Sequence, residues 1–114
     1  MKSGHEFGDV VLVPFPFTDQ SIIKRRPAVV VSSDAYHRER SDLIILAVTS
    51  QARTDAMFGE ASIELWKEAG LLRPSVLKPV VATIDRSLVL RKLGRLATED
   101  RRALRTLLDQ IVGR

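Results

Sequence analysis

Leu43-Ile44-Ile45-Leu46-Ala47-Val48 is apolar at every position. A strand in a sheet with one wet face alternates apolar and polar residues. An unbroken apolar run instead fits a strand buried on both faces, or a twisted barrel strand near the centre of the core. Any fold for this chain has to supply that double cover.

The neighbouring segments also read as short strands. Val10-Val11-Leu12-Val13 is a β-branched run predicted to stop at Pro14, whose missing N–H cannot serve a central ladder. Ala28-Val29-Val30-Val31 is a second strand, ended by Ser32-Ser33-Asp34. Ala61-Ser62-Ile63-Glu64-Leu65 alternates as a half-exposed strand does, and Trp66 to Ala69 predicts one helical turn closed by a left-handed Gly70. Ser75 to Lys78 and Val80 to Ile84 form an extended segment, with a bulge or an edge position expected at Pro79. Lys92 to Leu96 is a last short strand. Only the C-terminus carries a helical period: Leu104, Leu107, Leu108, Ile111 and Val112 make one apolar stripe. Thr98 is the expected N-cap, Glu99 and Asp100 suit the positive end of the helix dipole, and Gly113 is the expected stop. The pattern is mainly β with a C-terminal α-helix: a small curled sheet or barrel capped by that helix. One domain is expected over 1–114, with 1–6 as a flexible tail.

Composition narrows the chemistry. The 114 residues include no cysteine, which excludes disulfides, thiolate nucleophiles and cysteine zinc sites. His5 and His37 are too few for a multi-histidine metal site, and no cofactor or metal is expected. Both histidines read as surface residues, His5 in the tail and His37 in a charged loop from Asp34 to Arg40. No run of about 18 apolar residues exists and the N-terminus lacks an apolar signal core, so no membrane partner and a cytoplasmic location are expected. The net charge of +4 favours polyanionic partners, nucleic acid first. Lys24-Arg25-Arg26 and Arg91-Lys92 with Arg95 concentrate it, whereas the acids are scattered.

Three ordered motifs carry a resemblance. Gly8-Asp9-Val10-Val11-Leu12-Val13-Pro14-Phe15, Lys24-Arg25-Arg26-Pro27-Ala28-Val29-Val30-Val31-Ser32 and Leu46-Ala47-Val48-Thr49-Ser50-Gln51 are similar to the signatures of the MazF/PemK toxins, with Thr83-Ile84-Asp85 as a weaker fourth element. The resemblance implies an SH3-like barrel capped by a helix, and a cytoplasmic homodimer that cleaves single-stranded RNA, mRNA in the cell, at short sequences. It implies a cognate antitoxin as partner, lying in the RNA groove. It also implies that the family's catalytic arginine and threonine fall on Arg26 and Thr49. The RNA's own 2′-OH would attack the adjacent phosphate, giving 2′,3′-cyclic phosphate and 5′-OH ends, with no metal.

Local chemistry suits those positions. Arg26 precedes Pro27, which biases it to an extended backbone at a strand mouth, where its fork can hold a phosphate. A guanidinium is nevertheless a poor general base, and its acid/base role rests on the family likeness. Thr49 emerges where the apolar strand ends. Phe15 and Phe17 are candidate stacking platforms for bases, or covers for one end of the barrel. Lys24 and Arg25 are candidates for tracking phosphates; Ser50, Gln51 and Arg53 for reading bases. Lys78 sits inside an otherwise apolar strand, facing either the groove or solvent, and no family role carries over to it. Trp66 reads as a core or dimer anchor. Two rival functions remain. A gyrase-binding toxin of the CcdB type shares the barrel, but this helix ends Gln110-Ile111-Val112-Gly113-Arg114 without that family's tryptophan. A catalytically silent nucleic-acid-binding barrel is the other.

Overall fold

The computed structural model describes residues 4–15, 24–50 and 55–113. Chain order is β1 (Asp9–Phe15), β2 (Lys24–Val30), α1 (Asp34–Glu39), β3 (Asp42–Ser50), β4 (Ala61–Ser62), β5 (Ser75–Asp85), a 3-10 turn (Arg86–Leu88), β6 (Arg91–Arg95) and α2 (Thr98–Ile111). The strands form one sheet in the order β4-β5-β3-β2-β1-β6, antiparallel at each junction. It is curled as a half-barrel, with α2 against one face.

Burial on both sides of β3 explains its apolar run. Leu46 and Val48 join Val10 and Val29 under Leu104 and Leu107 of α2. Leu43, Ile45 and Ala47 face the other way and pack with Val11, Val13, Ala28 and Val30, with Ala82 and Ile84 beside them on β5 and Val89 packed against them. Each face therefore has its own core, and alternate residues of β3 serve one or the other.

Several expectations hold in detail. β5 slips its register between Leu46↔Val81 and Val48↔Leu77, which places the expected bulge around Pro79. Gly70 has φ +86°, and the Leu71 and Gly70 N–H groups donate to the Trp66 and Lys67 carbonyls at 3.0 Å each, the Schellman pattern.

Others are corrected. β1 runs through Pro14 to Phe15. The Leu12 carbonyl accepts from Leu90, so the backbone groups of Leu12, and of Pro14 two residues on, face the β6 side; β6 pairs only as far as Leu12. No ladder bond is lost at Pro14. β4 stops at Ser62, because the Glu64 and Leu65 N–H groups turn to the buried Asp100 carboxylate at 2.9 Å each. Residues 34–39 are a short helix, capped by the Ser33 hydroxyl. At its other end Arg86 reaches back to the His37 and Arg40 carbonyls. Thr98 is the first residue of α2; Ala97 is its N-cap and gives no side-chain cap bond. His37 is no surface residue: it is 4% exposed, with Nε2 2.6 Å from the Ser32 hydroxyl. The flexible-tail expectation meets a local anchor at Glu6, whose N–H donates to Asp9 Oδ2 at 2.9 Å. No helix among the described residues is long and apolar enough to cross a membrane.

Candidate functional site

The β2–β3 ladder fixes the relation of the two central candidates. Its register pairs Ala28 with Ala47 and Val29 with Leu46. Pairing ends at Ala28 and Ala47; Arg26 and Thr49 lie two residues beyond that pair on their strands, and Arg25 and Ser50 three. Alternation puts Arg26 and Thr49 on the face of Val13 and Ala47, and Arg25 and Ser50 on the face of Leu12 and Val48. All four residues line one cavity of about 420 Å³ at this end of the sheet.

Its floor is apolar, from Leu12, Pro27, Val48, Leu71 and Leu93. Its rim is cationic: Arg73 and Arg91 join Arg25 and Arg26, and no Asp or Glu is among the described lining residues. A low-dielectric floor beneath four guanidinium groups favours a bound anion more than open solvent would.

Local structure holds this wall in place. Asp100, one turn into α2, fixes the start of the 64–70 turn through two N–H bonds. At the other end of that turn, Gly70 lies against β6 so closely that a Cβ would overlap the Leu93 carbonyl, and a Cβ on Gly94 would overlap the Ala69 carbonyl. Chain then enters the rim at Leu71, Leu72 and Arg73. The Ser75 hydroxyl, on a side chain that is itself buried, donates to the Arg73 carbonyl at 2.8 Å.

The other candidates fall elsewhere. Lys24 is exposed at the start of β2, outside the cavity lining. Lys78 is engaged by Glu60, Nζ to Oε2 2.6 Å, also away from the cavity. Phe15 ends β1 opposite Lys24, but its side chain lies outside the described residues, as do Phe17, Gln51 and Arg53. His5 is half-buried, and burial pushes its pKa below the ordinary value against the attraction of Asp9. Trp66 packs partly against the core, with the Lys67 ammonium 5.4 Å from its ring. The sequence reading missed Arg73. Its signal was available: Arg73-Pro74 repeats the arginine–proline pairing of Arg26-Pro27.

A family model for PemK-like, MazF-like toxins of type II toxin-antitoxin systems matches residues 6–112. The chain belongs to that toxin family. No curated protein sequence matches it. Among solved structures, the toxin's fold is similar to MazF (Form-I) of Deinococcus radiodurans, at TM-score 0.72 and 23% identity over 96% of each chain. It is also similar to a mycobacterial endoribonuclease in complex with its cognate antitoxin, at TM-score 0.71 and 17% identity over 90% of this chain and 89% of that one. A Deinococcus radiodurans MazE-MazF structure (Form-III) matches at TM-score 0.67 and 26% identity, over 91% and 92%.

The toxin's Gly8-Asp9 signature is structural. Gly8 has φ +90° and packs under the Arg101 side chain. The fully buried Asp9 carboxylate ties the Glu6 N–H on one oxygen and lies 3.3 Å from Lys92 Nζ on the other.

Proposed function

We propose that this toxin is a metal-independent endoribonuclease that cuts single-stranded RNA at short specific sequences, with the scissile phosphate held by Arg26 and Thr49. The observation that carries the reading is the cavity shared by Arg26 and Thr49, whose described lining holds three further arginines and no carboxylate.

The substrate supplies the nucleophile. Its 2′-hydroxyl gives up its proton to solvent and its oxygen bonds to the adjacent phosphorus as the bond from phosphorus to the 5′-oxygen breaks, the departing oxygen taking a proton from solvent. A 2′,3′-cyclic phosphate and a free 5′-hydroxyl are left. Charge builds on the non-bridging oxygens during this step, and in this reading the fork of Arg26 holds two of them. The Thr49 hydroxyl donates to the same phosphate or orients Arg26.

The toxin acts in the cytoplasm as a homodimer and is neutralised by a cognate antitoxin. A segment with acidic side chains is the complement of this cleft and competes with RNA for it. Relatives of the same fold solved with their antitoxins support that partner. The test is cleavage of an unstructured RNA in EDTA by Arg26→Ala. Loss of a transition-state donor of this kind costs about 10²–10³ in rate. Undiminished cleavage would place the centre elsewhere.

A further inference from the structure

We infer that Arg73 and Arg91 form a second phosphate clamp, which holds a phosphate neighbouring the scissile one while that nucleotide's base rests on the apolar floor of the cavity. The inference rests on the nuclease reading above and concerns different residues.

Register carries the argument. Arg91 pairs with Leu12, and Leu12 pairs with Pro27, so one row across β6, β1 and β2 places all three on the same face. Arg25 shares that face, two residues along β2. Arg26 and Thr49 belong to the opposite face, where the strands end. An RNA strand held at Arg26 and Thr49 must therefore pass over the ends of β2 and β3 to reach the cavity floor. The floor between Leu12, Leu71 and Leu93 offers an apolar bed for an unstacked base, and no described lining residue carries a carboxylate that would repel its phosphate. Arg91 borders it from β6 and Arg73 from the loop before β5.

Arg73 is held for this task. Its carbonyl accepts the Ser75 hydroxyl, which fixes the backbone from which the guanidinium extends. Pro74 restricts the same residue from its other side. Ser75 is thus a positioning residue that acts through Arg73. Leu72, 94% exposed between Arg73 and the cavity wall, adds an apolar edge against which a base can lie.

The test uses the full chain and a short RNA with a single cut site, in which one phosphate at a time is replaced by a neutral methylphosphonate. In the wild type, neutralising one phosphate beside the cut lowers kcat/KM about tenfold, mainly through KM. Arg73→Gln and Arg91→Gln each lower kcat/KM on the unmodified RNA and respond less to that neutralisation, and the double variant does not respond to it. The double variant also reduces the salt slope of RNA binding by about 0.7, the value of one phosphate contact on a single strand, and each single variant by part of that. Ser75→Ala gives a smaller loss of the same kind. Arg102→Gln, the same charge change on the exposed side of α2, leaves both readouts at wild-type values. Variants that keep wild-type kcat/KM and salt slope, or that respond to the methylphosphonate as fully as the wild type, overturn the clamp while the nuclease reading stands. A wild type that leaves the RNA whole overturns both.

Discussion

A side chain at position 26 leaves an extended, proline-restricted backbone at the mouth of β2 and lines the same cavity as Thr49. Geometry of that kind favours a planar fork over a point charge, because two parallel bonds fix the phosphate's orientation as well as its position. Arg26→Lys keeps the charge and loses the fork. Steady-state cleavage of a short RNA should show kcat down at least tenfold, with KM little changed. Thr49→Val keeps the β-branched shape that suits the strand and removes only the hydroxyl. Its kcat should fall about tenfold while its urea midpoint stays near wild type; Thr49→Ser should recover most of the activity. If Thr49→Val cleaves as fast as wild type, the hydroxyl does not touch the phosphate.

At the scale of elements, the turn over residues 64–70 connects the core to the cavity. Removing both acceptors with Asp100→Ala leaves two N–H groups without their partner, at a cost on the order of 2–4 kcal/mol. Urea denaturation should show that loss, and Asp100→Asn, which keeps one acceptor, about half of it. Gly94→Ala forces a Cβ into the Ala69 carbonyl and should cost about 2 kcal/mol or more by the same measurement. β3 and α2 were legible in the sequence because each pattern has one solution: cover on both faces for Leu43 to Val48, a single stripe for Leu104 to Ile111. Glu64 and Leu65 misled because the acceptor of their N–H groups lies 35–36 residues away, beyond any local signal. Six residues are too few for a period, so α1 was invisible, and the Arg86 side chain that closes its end comes from beyond β5. Arg26 and Thr49 were legible as motif ends, but their meeting in one cavity needed β2 and β3 to lie side by side in the sheet. Arg73 was missed for want of a strand around it, although its proline neighbour was in plain view.

For the whole molecule, stability responds to pH through three groups, His5, Asp42 and Asp85. Burial depresses the His5 pKa, so as the pH falls below about 6.5 the unfolded chain takes up this proton first and stability declines. Asp42, held low chiefly by the Arg40 side chain, and Asp85, held low chiefly by the Ser87 N–H, act in a lower window. Their contribution is full above the unfolded carboxylate value of about 3.9 and is lost as the pH falls beneath it. The urea midpoint should therefore be highest near neutrality and fall in two stages. His5→Gln should flatten the first stage and spare the second; an unchanged first stage would assign it to another group. The central claim is that the cationic cleft breaks RNA by the substrate's own 2′-OH, and the direct test is digestion of a long mixed-sequence RNA in EDTA, with the cut ends mapped. The cut ends should be 2′,3′-cyclic phosphates and 5′-hydroxyls at one recurring short sequence. Intact RNA, or 5′-phosphate ends, would contradict that claim.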